Sequence, residues 1–328
     1  MESRKYRLRL LITAIGALLS MSCTSNISEP EPDLAGFCKN LPRAAYAELA
    51  KDSRSNDWFE VYEVQPDIWA VYEPWQWQEV ISYLIVGPER ALLFDTGNGI
   101  GDIKAIVDQL TDKPVTVLNS HSHYDHVGGN YQFDTILSVS TAFSLARSKG
   151  LGNDEIGIEV SPEALCKQLP AGVTEDNHRS RPYTITGRVA EGDIIDLGNR
   201  QLEILRIPGH TDDAIALLDK AHGLLWTGDS FYEGPIWLYA PETDLVAYRN
   251  SLARIAALAP QLSALLPAHN TPIAEPDLLG QALRDLDLVL AGKASATPSW
   301  EGVVTFEFDG YGFLMREDYT SIPVTGSQ

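Results

Sequence analysis

The chain has 328 residues, 44% hydrophobic and 21% charged: enough apolar side chain to bury a large core, too much for a disordered polymer. Against 25 Lys and Arg stand 45 Asp and Glu, a net charge of −20 that sets aside nucleic acid as a partner. Three cysteines make neither a disulfide scaffold nor a four-thiolate zinc site, and no apolar run reaches the ~18 residues of a membrane span.

Residues 1–22 read as a signal peptide. Arg4, Lys5, Arg7 and Arg9 precede the apolar stretch Leu10 to Leu19, and small Ser20 and Ser22 lead to Cys23. The run Leu19 to Cys23 resembles a bacterial lipoprotein signal with Cys23 as the lipidated residue, although Ser20 stands where such signals usually carry Leu. Residues 23–57 then read as a tether and N-terminal segment, polar and Pro-containing over 24–33. The expected location is exported: periplasmic, or held on a bacterial membrane solely through an N-terminal lipid. In that oxidising space Cys38 and Cys166 either pair or remain buried thiols.

From Trp58 strand-like and helix-like segments alternate, as in an α/β layered domain over 58–328. Strands are predicted at Asp67 to Tyr72, Ile81 to Val86, Ala91 to Asp95 and Pro114 to Asn119, with a helix over Ile100 to Leu110. Residues 140–190, rich in Gly, Pro and polar side chains, look like an insertion. Strands resume at Gln201 to Ile207, Ala214 to Leu218 and Leu224 to Thr227, a helix ends near Leu258, and Leu262 to Leu266 leads to a last motif. Glu275 to Ala291 is amphipathic, with Leu279, Leu283, Leu286 and Leu290 on one face. A C-terminal hairpin over Val303 to Phe308 and Tyr311 to Met315 turns at Asp309-Gly310.

Chemistry concentrates after the Pro114 to Asn119 strand, where His121, His123, Asp125 and His126 crowd six positions. No regular helix or strand points all four one way. A loop can send 121 and 123 to one ion and 125 and 126 to another. His210 in Pro-Gly-His-Thr, Asp229 in Thr-Gly-Asp-Ser and His269 in Pro-Ala-His-Asn each follow a strand-like run, as a metal cluster at one sheet edge requires. His178 and His222 lack such context and read as surface residues.

This series, H-x-H-x-D-H, then G-H-T, G-D and a final histidine, resembles the metallo-β-lactamase superfamily over nearly all of residues 58–275. The resemblance implies a four-layer αβ/βα sandwich of two mixed sheets flanked by helices, with metals at the edge where the sheets meet. It implies one metal on His121, His123 and His210, a second on Asp125, His126 and His269, and Asp229 bridging. Asp95 matches the acidic residue that orients the metal loop from behind. A thiolate-free His/Asp set fits two zinc ions, with iron as the other option. The expected reaction is hydrolysis of a small molecule's ester-like bond (ester, thioester, lactone or β-lactam) by metal-activated hydroxide, with Asp125 both ligand and proton acceptor.

Branch features narrow this. Thiolate-ligand β-lactamases carry Cys at the position of Asp229, and flavodiiron relatives carry Glu at that of His123. Relatives with a bridging Asp cleave thioesters, lactones or phosphodiesters. The C-terminal 50 residues supply no obvious basic grip for glutathione. Tyr232, three residues beyond Asp229, is placed to donate to a carbonyl oxygen or to pack beside Trp237. Trp75 and Trp77, in a segment that overhangs the metals in the superfamily, read as a substrate clamp or as core. The alternatives are a mononuclear-iron persulfide dioxygenase and a non-catalytic metal-binding surface lipoprotein.

Overall fold

The computed structural model describes residues 36–300 and 302–321. The signal peptide expected over 1–22 and the lipidated Cys23 lie outside them. From residue 36 the chain is already packed on the domain. Tyr46 is buried and stacks on Tyr72 with ring centroids 4.4 Å apart, and Cys38 is disulfide-bonded to Cys166.

The first sheet has seven strands in sequential order: β1 (Glu60–Gln65), β2 (Ile68–Tyr72), β3 (Ile81–Val86), β4 (Ala91–Phe94), β5 (Val115–Leu118), β6 (Ile136–Ser138) and β7 (Gly187–Arg188). The first four pair antiparallel and β4 to β7 pair parallel. Every residue of β4 is buried, as the continuous run Ala-Leu-Leu-Phe demands of a strand covered on both faces. Helix α1 (Ile103–Leu110) lies on the outer face, burying Ile103, Ile106, Val107 and Leu110. It starts three residues later than predicted because Asp102 caps it, accepting the Ala105 amide at 3.0 Å. The short helix α2 (Tyr124–Val127) sits in the metal-type loop, and α3 (Ala142–Arg147) and α4 (Asn153–Ile156) in the insertion.

Strands β8 (Ile194–Asp196), β9 (Gln201–Arg206), β10 (Ile215–Asp219) and β11 (Leu224–Gly228) form the second sheet. There β12 (Pro235–Leu238) departs, and β13 (Ala264–Pro267) returns parallel to β11, so this sheet is mixed too. Helices α5 (Leu245–Ala256) and α6 (Asp277–Leu290) cover its outer face. The sequence predicts only a hairpin at the C-terminus. The structure builds a third sheet, in which β14 (Thr297–Trp300), β15 (Val303–Glu307) and β16 (Gly312–Arg316) join β12 in the order β12-β16-β15-β14. Pairing of β12 with β16 is parallel and puts Trp237 beside Leu314, a long-range match that no local pattern announces.

Three buried clusters hold the layers together: α1 against the first sheet, the two main sheets against each other through Tyr83, Leu92, Leu217 and Trp226, and the second sheet against α5, α6 and the third sheet. The result is the expected α/β sandwich, with the loops after β4, β5, β9, β11 and β13 gathered at one edge.

Candidate metal centre

Each polar side chain at that edge follows a strand end. Two glycines let the loops close on one another. Gly209, with φ 142°, precedes His210 where any Cβ would lie 2.2 Å from the Tyr248 backbone. Gly228, with φ 51°, precedes Asp229 where a Cβ would lie 2.6 Å from that of Ser120.

His121 Nε2, His123 Nδ1 and His210 Nε2 face one another at 2.9, 3.0 and 3.2 Å. The opposite ring nitrogens are occupied: His121 Nδ1 by Ser120 Oγ at 3.0 Å, His123 Nε2 by a Glu242 carboxylate oxygen at 2.8 Å, His210 Nδ1 by the Trp237 carbonyl at 2.8 Å. A carbonyl only accepts, so the proton of His210 sits on Nδ1 and its Nε2 lone pair points inward. Burial, then the neighbouring imidazoles, keep His121 far below the ordinary histidine range and hold His210 at about 4. Three converging imidazoles are a donor set for a cation.

The second group lies alongside. His126 Nε2 is 3.1 Å from Asp125 Oδ2, and His269 Nε2 is 3.7 Å from that same oxygen. Burial acts to lower His126 and His269, but the facing carboxylates outweigh it and raise both. The histidines in turn hold Asp125 and Asp229 low against burial. Asp229 faces both groups. Its Oδ1 lies 3.0 Å from His269 Nε2 and 3.3 Å from His126 Nε2, and its Oδ2 lies 3.5 Å from His210 Nε2 and 3.9 Å from His121 Nε2. His126 Nε2 and Asp229 Oδ1 are buried without a hydrogen-bond partner, a costly arrangement for a protein alone and the normal one for a ligand pair that takes a cation. The residues present therefore fit two metal ions.

Asp95 sits behind the loop, as the resemblance implies. It adopts φ 67°, accepts the Ser120 amide on Oδ1 at 2.7 Å, and takes the His126 Nδ1 proton on Oδ2 at 2.9 Å. His269 Nδ1 donates to the Gln78 carbonyl at 2.7 Å.

A cavity of about 760 Å³ opens on this cluster. Trp77 lines it; Trp75 does not. The ring of Trp75 packs on the α1 side of the first sheet with the Lys167 ammonium 4.9 Å above it, so only the second tryptophan of the expected clamp borders the centre. Tyr232 also lines the cavity, its ring 4.8 Å from that of His269, but its hydroxyl donates to the Pro235 carbonyl at 2.5 Å. The phenol proton expected to meet a substrate carbonyl is thus already committed. His178, expected at the surface, is 3% exposed, whereas His222 is exposed with its ring on Asp219 at 2.7 Å.

Two cavity carboxylates escaped sequence reasoning. Glu242 orients His123 and lies 3.6 Å from Arg147. Glu159, from the insertion, accepts from Gln76 Nε2 at 3.0 Å, Trp77 Nε1 at 2.8 Å, Gln78 Nε2 at 3.2 Å and the Tyr124 hydroxyl at 2.7 Å. Neither stands in a local motif. The only signal was the unusual density of hydrogen-bonding partners in Trp75-Gln-Trp-Gln78.

A sequence model described as the Metallo-beta-lactamase superfamily matches residues 76–293. The chain belongs to this superfamily. An acyl-coenzyme A thioesterase, MBLAC2, from Bos taurus is 28% identical over 201 residues, spanning 57% of this chain and 71% of that one. Among solved structures, a metallo-beta-lactamase from Pontibacter korlensis superposes with a TM-score of 0.50 at 20% identity, over 70% of this chain and 99% of the other. A metallo-beta-lactamase family protein from Thermus thermophilus gives 0.51 at 21%, over 73% and 87%. These structures share the superfamily fold with the chain. As a superfamily member with a thioesterase relative and clustered His/Asp donors, it is a metallo-hydrolase.

Proposed function

We propose that the chain is an exported dizinc hydrolase that cleaves an ester-type carbonyl bond in an apolar small molecule, whether ester, thioester, lactone or β-lactam. The observation that carries this reading is Asp229, whose two oxygens divide between two sets of imidazoles. His121, His123 and His210 would hold one ion, and Asp125, His126 and His269 the other. The chemistry such a pair supplies is activated water near neutral pH and polarisation of the carbonyl. The protein's own part is orientation. Asp95, Glu242 and the carbonyls of Trp237 and Gln78 fix four imidazoles.

A complete second donor set weighs against the mononuclear-iron dioxygenase, and an open cavity on the cluster weighs against a purely structural metal. The acyl-thioesterase relative supports carbonyl cleavage. Export is supported by the basic-then-apolar start of the chain and by the Cys38–Cys166 disulfide, a bond at home in an oxidising compartment.

Metal analysis of the purified chain, paired with a screen of uncharged esters, thioesters, lactones and β-lactams, tests the proposal. About two zinc ions per chain and metal-dependent turnover of one class are expected. A single iron with oxygen consumption on a persulfide would overturn it.

A further inference from the structure

From the metal cluster an unbroken series of aromatic rings runs along one cavity wall. Trp77 stacks on Trp237 with centroids 5.0 Å apart, Trp237 meets Tyr239 at 5.3 Å, and Tyr239 meets Trp300 edge-on at 5.2 Å. All four line the same cavity. The series begins at the His/Asp cluster, since the Trp237 carbonyl orients His210. It ends on β14, so the third sheet supplies its far end. Ile158, 66% exposed, adds an apolar residue to the lining from the insertion.

Both guanidiniums of the cavity lining face a carboxylate of the protein itself. Arg43 grips both carboxylate oxygens of Glu79, at 2.6 and 2.5 Å, and donates to Asn270 at 2.9 Å. Arg147 lies over the Phe143 ring at 4.8 Å and beside Glu242. These are the only Lys or Arg among the described lining residues; Arg43 is committed to Glu79, and Arg147, whose Nε is buried without a hydrogen-bond partner, is the one guanidinium of the lining with donor capacity to spare. A polyphosphate or glutathione carrier, with several negative groups to hold, would meet a single such guanidinium beside the Glu242 carboxylate, and the net charge of −20 opposes it further.

We propose that Trp77, Trp237, Tyr239 and Trp300 form a subsite for an extended apolar acyl tail, and that the substrate is a medium- or long-chain acyl ester or thioester of an uncharged alcohol or thiol. This rests on the reading of the centre as a hydrolase. The cavity's 760 Å³ is within the ~300–1,000 Å³ of small-molecule sites and has room for a reacting head and a tail together. Each methylene brought onto such a wall improves binding roughly threefold to fourfold. Trp300 is the specificity-determining residue reached only by longer tails.

The test uses the zinc-loaded protein and N-acetylcysteamine thioesters with acyl chains of two to twelve carbons. The expected result is a kcat/KM that climbs at least threefold per added methylene through the middle of the series. Trp300→Ala is expected to cut the ratio of decanoyl to acetyl kcat/KM at least tenfold with metal content unchanged. Binding of the uncharged alcohols hexanol, octanol and decanol, followed by tryptophan fluorescence, gives a readout that needs no turnover; it should tighten with length and lose that trend in Trp300→Ala. A flat length profile with the short thioester still hydrolysed overturns the tail subsite and spares the hydrolase reading. Tightening alcohol binding with no hydrolysis of any ester keeps the subsite and overturns the hydrolase. A coenzyme A thioester cleaved far faster than the N-acetylcysteamine thioester of the same chain overturns the uncharged carrier.

Discussion

Glu159 is 7% exposed, and its carboxylate gathers four donors: Gln76, Trp77, Gln78 and Tyr124. Gln78 in turn offers its carbonyl to His269, and Tyr124 adjoins Asp125, so one acid from the insertion steadies two ligands of the second metal set. Glu159→Ala leaves those donors without their acceptor. A buried donor stranded this way costs about 1–3 kcal/mol. Two offsets reduce the total: water enters from the cavity, and the burial penalty that raises the Glu159 pKa disappears. The net loss of stability is therefore expected near ~2–3 kcal/mol, with Glu159→Gln recovering most of it because an amide oxygen still accepts. Loss of an outer partner of a metal ligand typically weakens metal affinity about 10–100-fold. Stepwise chelator competition should show the second ion released at lower chelator in Glu159→Ala while the His121/His123/His210 ion holds. If both ions leave at wild-type concentrations from a variant of wild-type stability, Glu159 plays no part in positioning His269.

Asp95→Asn keeps an acceptor for the Ser120 amide but turns an amide hydrogen toward His126 Nδ1, forcing the proton onto Nε2, where the metal donor should be. About one ion per chain is expected in place of two, and two retained ions would refute the role of Asp95. Tyr232→Phe should leave metal content intact and reduce turnover less than about fivefold, because its hydroxyl serves the Pro235 carbonyl; a loss of about a hundredfold would show that the phenol reaches substrate. His178 is held at about 4 by burial, below its usual 6.5. The folded chain therefore refuses a proton that the unfolded chain accepts, and stability present above pH 6.5 is lost as pH falls toward 4. The loss is at most about 3 kcal/mol. Urea melts of His178→Gln between pH 4 and 7 should lack that part of the slope, and an unaltered slope would refute the assignment.

The ligand series was legible because each member follows a strand whose apolar run is itself readable, such as Ala-Leu-Leu-Phe before Asp95 and Val-Thr-Val-Leu before the His121 loop. Strand ends at one sheet edge converge by topology, so local order along the chain carried long-range information. Glu159 and Glu242 were invisible for the opposite reason. Each reaches its partner across a loop whose path depends on packing, and a lone glutamate in a polar stretch looks like any solvated one. Trp75 and Trp77 show the limit within three residues. They sit in one segment with the same composition around them, yet one faces the core and the other the cavity, which only the register against residues 164–166 decides. His178 failed likewise, since its burial comes from the fold of the insertion and not from any apolar neighbour in sequence.

The segment from Trp75 to Glu79 belongs to none of the three sheets, yet it supplies the cavity wall at Trp77 and the backbone acceptor for His269. Its rigidity is imported from three directions. Trp75 and Trp77 exchange backbone hydrogen bonds with Cys166 and Ala164 at 2.8 and 3.0 Å, and Cys166 is tied to the N-terminal segment through Cys38. Glu79, at φ 49°, is fixed by Arg43 and by the Tyr72 hydroxyl. Glu159 closes the third side. A site held to a few tenths of an ångström needs such support when its ligands stand on loops. The N-terminal segment and the insertion, which carry none of the clustered His/Asp donors, would then be parts of the proposed second metal site, and damage to either should surface first as loss of metal binding near His269.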